Sequence, residues 1–177
     1  MKKGPGKILS GVVTEGWKKA LMNEVEGREF YRMAADNTRL DGVRQMFTFL
    51  MEEEERHRVA ILEQIGRMAE GKPLRPVRKG SGKKGIRKFK SPLFTPDFVA
   101  RGKQAEGEAA ALSIGMTLEK RAIEQFAALR RKVKGDAAAE KVFDDLIAWE
   151  RDHLEILTRQ YEQLREMYWE EARFWPF

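Results

Sequence analysis

Residues 24–57 read EVEGREFYRMAADNTRLDGVRQMFTFLMEEEERH, and this stretch decides the fold. Apolar side chains recur every three to four residues on both sides of a short polar link, which is the period of an amphipathic helix. The pattern predicts one helix from about Trp17 to Ala35 and a second from about Asp41 to Ala69. Because the link is short, the two helices are expected to be antiparallel neighbours.

A second helical hairpin is predicted further along the chain, where residues 119–153 read EKRAIEQFAALRRKVKGDAAAEKVFDDLIAWERDH. The third helix is expected from about Glu106 to Lys134, and the fourth from about Ala137 to Tyr168. Gly135 is suited to end the third helix, and Asp136 is suited to cap the fourth, as Asp41 is suited to cap the second.

The two hairpins repeat one pattern of glutamates and histidines. EVEGREFY at 24–31 matches EKRAIEQF at 119–126, and EERH at 54–57 matches ERDH at 150–153. The lone glutamate precedes its Glu-x-x-His motif by 30 residues in the first half and by 31 in the second. A duplicated helical hairpin is the simplest account of this repeat.

The segment between the hairpins, residues 71–98, reads GKPLRPVRKGSGKKGIRKFKSPLFTPDF and has no helical period. A helix of about 25 residues is roughly 37 Å long, a distance that about 11 extended residues can span. This connection is long enough to return along the whole bundle, so the second and third helices can be parallel. The sequence therefore predicts an all-α four-helix bundle with one long crossover between helices 2 and 3.

The composition restricts the class of protein. A chain of 177 residues fits one domain, and the absence of cysteine excludes disulfides, zinc–thiolate sites and iron–sulfur clusters. No apolar run approaches the roughly 20 residues that span a bilayer. The apolar stretch after the basic start is short and broken by Ser10 and Gly11, unlike a secretory signal. We expect a soluble, cytoplasmic protein with no membrane partner.

The net charge of +6 arises in one segment. Residues 71–103 contain eleven Lys or Arg and a single acidic residue, so this segment carries +10 and the remainder carries −4. Three interpretations stay open: a solvated, mobile loop, a docking site for an acidic protein or the acidic face of a second subunit, and a nucleic-acid contact. Nucleic acid is the least favoured, because the segment contains no recognised binding motif.

The repeated glutamates and histidines predict a metal centre. Residues three apart lie on nearly the same helix face, so Glu-x-x-His directs a carboxylate and an imidazole to one point. Unpaired carboxylates in a core would cost many kcal/mol, whereas two divalent cations would balance four of them. Carboxylate and imidazole suit iron or manganese. The predicted ligands are Glu24, Glu54, His57, Glu119, Glu150 and His153.

Each candidate also has an ordinary interpretation. The Glu-x-x-His residues could belong to salt-bridged helix faces, and Glu24 and Glu119 could pair with Arg28 or Lys120. The neighbouring glutamates are interpreted as a solvated face; they are Glu52, Glu53 and Glu55. The conjunction of two motifs, two inward glutamates and matched spacing favours metal binding.

The phrases EVEGREFY, EKRAIEQF, EERH and ERDH resemble the ligand helices of the rubrerythrin and bacterioferritin branch of the ferritin-like superfamily. The resemblance covers residues 17–168 and implies a ferritin-like bundle in which the six residues bind two iron ions, with manganese as the alternative. The resemblance also implies that Glu54, together with Glu119 or Glu150, bridges the metals.

Three departures from that resemblance are visible. Ala122 stands where rubrerythrins carry a further glutamate, and the absence of cysteine excludes a rubredoxin domain. Tyr31 is retained as a hydrogen-bonding residue next to the ligands, but its counterpart in the second half is Phe126.

The resemblance implies an oxidoreductase that reduces hydrogen peroxide or dioxygen, with peroxide as the first choice and electrons from an external donor protein. The alternative is a non-catalytic metal-binding, iron-handling or interaction scaffold that uses the basic crossover.

The ends of the chain are predicted to lie outside the bundle. Residues 1–16 are interpreted as an N-terminal extension. The aromatic tail, residues 169–177, is expected to pack over the bundle or against a partner in a homodimer.

Overall fold

The computed structural model describes residues 9–77, 85, 87–89, 91, 93–94 and 103–171. This part of the chain contains four helices and no strand, so the predicted all-α fold is confirmed. The helices are α1 (Leu9–Asn37), α2 (Asp41–Ala69), α3 (Lys103–Lys132) and α4 (Ala137–Glu171). None of these helices combines the length and the apolar composition needed to cross a membrane.

The helices form two antiparallel hairpins that pack side by side. The packed pairs are α1 with α2, α3 with α4 and α1 with α3. One core cluster joins the end of α1 and the start of α2 to the start of α3 and the end of α4, and it includes Tyr31, Phe47, Leu112 and Leu157. Because the starts of α2 and α3 lie at the same end, these two helices are parallel.

The second core cluster lies at the opposite end of the bundle. It contains Trp17, Ile61, Phe126 and Phe143, and the rings of Trp17 and Phe143 stack with centroids 4.8 Å apart. A gap between the two apolar clusters is left at mid-bundle, where the repeated glutamates and histidines are placed.

The crossover contacts both ends of the bundle. Val77 packs into the cluster of Trp17, whereas Phe89 and Phe94 pack into the cluster of Tyr31. The connection therefore runs the length of the bundle, as its composition and length predict. The interpretation of the crossover as a solvated loop does not hold for these three side chains, because each of them is at most 8% exposed. Most of the basic residues of this segment lie outside the described residues.

Helix α1 begins earlier than predicted, at Leu9 instead of Trp17, so the predicted extension 1–16 contains its first turns. Gly11 and Gly16 disfavour a continuous helix here, but Gly16 has a packing role. A Cβ atom at Gly16 would collide with Cδ2 of Leu129 unless that side chain shifted, so glycine lets α1 approach α3 closely at this point. Residues 1–8 lie outside the described residues.

The helix ends agree with the turn chemistry in most places. Gly135 has a φ of +98°, and Oδ1 of Asp136 accepts hydrogen bonds from the backbone N–H groups of Ala138 and Ala139 at 3.1 Å. The contacts of Asp136 confirm the predicted cap of α4. The positive φ of Gly135 agrees with its predicted place after α3, although α3 ends at Lys132, two residues before the predicted Lys134. The predicted cap of α2 is wrong, because Asp41 is the first helical residue and its side chain instead pairs with Arg44 at 2.9 Å.

Helix α4 continues to Glu171, three residues beyond its predicted end. Tyr168 and Trp169 are 49% and 41% exposed, and the Arg165 guanidinium lies 4.9 Å from the centroid of the Trp169 ring. These two aromatic side chains do not pack over the bundle. Residues 172–177, which make up most of the predicted tail, lie outside the described residues, so their packing stays a prediction.

Candidate metal centre

The six predicted ligands converge between the two core clusters. Helices α1 and α3 each supply the lone glutamate of one repeat, and α2 and α4 each supply a Glu-x-x-His motif. All six side chains are buried, with exposures of 4% or less; they are Glu24, Glu54, His57, Glu119, Glu150 and His153. The helical repeat read from the sequence therefore does bring these residues to one place.

Each imidazole contacts carboxylates from other helices. Nδ1 of His57 lies 3.2 Å from Oε2 of Glu24 and 3.0 Å from Oε1 of Glu150. Nδ1 of His153 lies 2.9 Å from Oε1 of Glu54 and 3.5 Å from Oε1 of Glu119. The alternative of ordinary surface salt bridges does not describe this buried set.

Four of the residues form a tight group that could hold metal ions. One ligand atom from each of Glu54, His57, Glu150 and His153 lies within 4.8 Å of the others. Glu24 and Glu119 flank this group through their contacts with His57 and His153. The grouping is consistent with the predicted ligand set.

Several buried polar atoms of the centre make no well-directed hydrogen bond, even where an oppositely charged neighbour is close. They include Oε1 of Glu24, Oε1 of Glu54, Oε1 of Glu150 and Nδ1 of His153. Buried polar groups in proteins are almost always partnered, because an unpaired group loses its hydration. Cations would satisfy these lone pairs and neutralise the carboxylates, so the donor set fits bound metal ions.

For the chain without a cation, burial changes the protonation of the carboxylates. Burial raises the pKa of Glu24 to about 8, and burial together with the charges of Glu24 and Glu119 raises the pKa of Glu54 to about 8. The pKa of Glu150 is likewise raised well above its usual range by burial. Protons therefore compete with metal ions for these three carboxylates near neutral pH.

Glu119 and His153 behave as a charged pair. Burial opposes ionisation of Glu119, but the charge and hydrogen bond of His153, together with hydrogen bonds from Glu150 and Tyr31, outweigh it and lower the pKa of this carboxyl. Burial likewise opposes protonation of His153, yet Glu119 and Glu54 raise the pKa of its imidazole well above the usual range.

Tyr31 lies next to this pair, as the sequence predicts. Its side chain is fully buried, and its hydroxyl donates a hydrogen bond to Oε1 of Glu119. Burial and the charge of Glu119 raise the pKa of Tyr31 well above its usual range, so the hydroxyl remains a donor. It thereby restrains one carboxylate of the centre.

The sequence model of the rubrerythrin family matches residues 17–161, which include all six candidate ligands. The chain belongs to the rubrerythrin family. The predicted resemblance is confirmed by this match. No curated protein and no solved structure matches the chain.

Ala122, the departure from the usual rubrerythrin pattern, lines a small pocket that reaches the centre between α1 and α3. Gly27, Glu24, Glu54 and Glu119 line the same pocket. The short side chain of Ala122 leaves room for a molecule about the size of water beside the carboxylates.

Two other features of this rubrerythrin site were not predicted from the sequence. The rings of His153, His57 and Trp149 form a parallel stack, with centroid distances of 4.9 Å and 4.4 Å between neighbours. Gly27 lies against Glu54, because a Cβ atom at this position would be 3.2 Å from Oε2 of that glutamate. The sequence contains one sign of the role of Gly27, because a glycine lies within a helix one turn from Glu24. It contains no such sign for Trp149.

The glutamates around the centre correct one expectation. Glu53 is 3% exposed and pairs with Arg56, so it does not belong to a solvated face. Arg28 binds Glu29 at 2.7 Å and Glu55 at 2.9 Å, which leaves Glu24 to the metal centre.

Proposed function

We propose that the protein is a di-iron oxidoreductase that reduces hydrogen peroxide or dioxygen, with peroxide as the first choice. The observation that carries the proposal is the buried set of four carboxylates and two imidazoles in a rubrerythrin bundle. Two divalent ions would balance the four carboxylates, and a donor set without thiolate suits iron, with manganese as the alternative.

A pair of ferrous ions in this site would supply the two electrons that convert hydrogen peroxide and two protons into two molecules of water. The chain supplies the surroundings of this chemistry. The six side chains would hold the ions, the hydroxyl of Tyr31 restrains Glu119, and the two apolar clusters keep bulk water away from both ends of the site.

The pocket beside Gly27 and Ala122 is consistent with an oxidant as small as hydrogen peroxide or dioxygen. Its walls include carboxylate groups of the centre, so a molecule that enters there meets the candidate ligands directly. Arg121 and Glu26, 3.7 Å apart, also line the pocket and join α3 to α1 there.

We infer that the electrons come from an external donor protein. The 177 residues contain no cysteine and therefore no ligands for an iron–sulfur or rubredoxin-type centre. Such a donor would restore the ferrous state after each turnover.

The first test is an anaerobic titration of the metal-free protein with ferrous iron. We expect two ions per chain, and we expect the double variant Glu150→Ala/His153→Ala to lose both, because each change removes a buried ligand. The loaded wild-type protein is then mixed with hydrogen peroxide. One peroxide consumed per two ferrous ions oxidised supports the proposal.

Two other results would contradict the proposal. Iron that binds but reacts with neither peroxide nor dioxygen would leave a metal-holding scaffold. Absence of binding would mean that the six residues form a proton-stabilised polar network.

A further inference from the structure

The pocket that reaches the metal centre opens at the seam between α1 and α3, where equivalent positions of the two repeats meet. Glu26 and Arg121 line it with charged atoms 3.7 Å apart, and each lies two residues after the lone glutamate of its repeat. Gly27 and Ala122 also line it, and each lies one residue further along. The pocket therefore lies at the pseudo-twofold axis of the bundle, where one opening can serve both halves of the centre.

The interior of this pocket is narrow and is walled by candidate ligands. Its volume is about 20 Å³, room for about one water molecule. Glu24, Glu54 and Glu150 line it, and Oε1 of each is buried without a well-directed hydrogen bond among the described residues. A hydrated divalent cation is larger than this space, so an ion that enters must exchange water for protein oxygen atoms on the way in.

Two pairs of side chains cross the opening, one turn apart along α1. In the first pair, the amide of Asn23 donates a hydrogen bond to the side-chain oxygen of Gln125. The second pair is the ion pair of Glu26 and Arg121, whose side chains are 49% and 61% exposed. Exposed ion pairs contribute little to stability. The guanidinium can therefore be exchanged for another cation with little loss of stability.

The charges along the pocket favour a cation as the species that this ion pair admits. Four glutamates line the interior, and Arg121 is the one basic residue among the described residues of the lining. An anion would be repelled by this interior, and an uncharged oxidant gains little from a carboxylate at the opening. A divalent cation is attracted by both the opening and the interior.

We propose that Glu26 is a transit ligand for divalent cations on their way to the metal centre, and that Arg121 holds this carboxylate between transits. Glu26 would exchange the guanidinium for the incoming ion and offer it an oxygen atom in place of water. Glu24 and Glu54, deeper in the pocket, would take the ion next, and Arg121 would then close the ion pair again. The proposal rests on the metal centre of the proposed function but not on its redox chemistry.

The rate of metal uptake separates a transit ligand from a resident one. Metal-free protein is mixed rapidly with zinc, and the remaining free zinc is followed with a chromophoric chelator; release is followed by adding excess chelator to the zinc-loaded protein. The test variants are Glu26→Gln and Arg121→Gln. Their matched controls are Asp36→Asn and Arg32→Gln, which change the same charges in another exposed ion pair of α1, outside the pocket lining.

We expect Glu26→Gln to slow both uptake and release of zinc about tenfold, the lower end of charge effects on association rates. Arg121→Gln should accelerate both rates, because nothing then competes with the ion for Glu26. Zinc affinity should stay as in wild type, because a transit ligand changes the barrier equally in both directions. The effects should shrink at high salt, since both side chains are exposed. The control variants should match wild type.

A loss of zinc affinity in Glu26→Gln at an unchanged uptake rate would make Glu26 a resident ligand and overturn the proposal. Uptake by both pocket variants at the rate of their controls would place the entry elsewhere and overturn it as well, as would absence of zinc binding by the wild type. Zinc is redox-inert, so the reaction of the iron-loaded protein with peroxide decides the proposed function separately.

Discussion

At the residue scale, the metal centre depends on a glycine that carries no functional group. Gly27 faces Glu54 from α1, and a Cβ atom added to it would lie 3.2 Å from Oε2 of Glu54, which is tighter than an ordinary contact. Because Gly27 has no side chain, the carboxylate of Glu54 can lie close to α1 while it also contacts the other residues of the centre. Glycine within a helix is otherwise unfavourable by about 1 kcal/mol relative to alanine.

We expect Gly27→Ala to weaken ferrous binding by about tenfold, because residues that orient metal ligands typically affect affinity on that scale. Gly66→Ala is the control, since a Cβ atom there would meet nothing within 4 Å. Both variants gain helix propensity, so only a specific effect on Glu54 separates them. The measurement is the ferrous titration, with urea unfolding alongside. Equal metal affinity in both variants would show that Glu54 tolerates the added methyl group.

The sequence predicted that the candidate ligands would converge because their geometry is local. A spacing of three residues places Glu54 and His57 on one face wherever their helix lies, and the repeat supplies the matching pair. Trp149 precedes a ligand, but its stacking on His57 depends on how α2 and α4 cross, which periodicity does not encode. The burial of Glu53 was missed for the same reason.

At the element scale, two glutamines fasten the crossover to the bundle. The amide of Gln160 donates hydrogen bonds to the backbone carbonyls of Phe89, at 2.7 Å, and Ser91, at 3.1 Å, and accepts one from the N–H of Leu93. Within the described residues, Gln64 accepts one bond, from the N–H of Arg75. Each glutamine follows the histidine of its repeat by seven residues, so the repeat extends beyond the metal ligands.

We expect Gln160→Met to destabilise the protein more than Gln64→Met, because among the described residues it leaves three backbone groups without their partner instead of one. Each lost bond costs about 1 kcal/mol, so the difference should be about 2 kcal/mol. Urea unfolding measures it, and limited trypsin digestion reports the crossover directly, since this segment is rich in lysine and arginine. Equal stability and equal cleavage of the two variants would contradict this role of Gln160.

The bundle and the parallel arrangement of α2 and α3 could be predicted from the sequence. The contacts that attach the crossover to the bundle could not. Helical periods and link lengths fix which helices are neighbours. Residues 71–98 have no period, and nothing in their sequence indicates that Phe89 and Phe94 enter the core. Loop contacts of this kind are decided by the assembled bundle.

At the scale of the whole molecule, the buried carboxylates link stability to pH. In the metal-free protein, Glu24 and Glu54 have pKa values of about 8, against 4.5 in the unfolded chain. Because the folded-state pKa is raised, their contribution to stability is complete below pH 4.5 and is lost as the pH rises towards and through 8.

We therefore expect the free energy of unfolding of the metal-free protein to fall between pH 5 and 8, by about 1 kcal/mol per pH unit for each of these carboxylates. Urea unfolding in the presence of a chelator measures it. With saturating zinc the slope should reverse, because metal binding displaces the protons and strengthens as the pH rises. A flat profile without metal would show that the carboxylates are ionised in the folded chain.

The hydroxyl of Tyr31 also breaks the twofold symmetry of the duplicated hairpins. It restrains Glu119, whereas the corresponding position in the other half is occupied by Phe126, which offers no donor, and Oε1 of Glu24 makes no hydrogen bond. At this pair of positions the two halves differ by a single oxygen atom. Of the two lone glutamates, Glu119 is therefore held by a tyrosine hydroxyl, whereas Glu24 is held through its contact with His57. Exchange of ligands should begin at the less restrained of the two, on the side of Glu24.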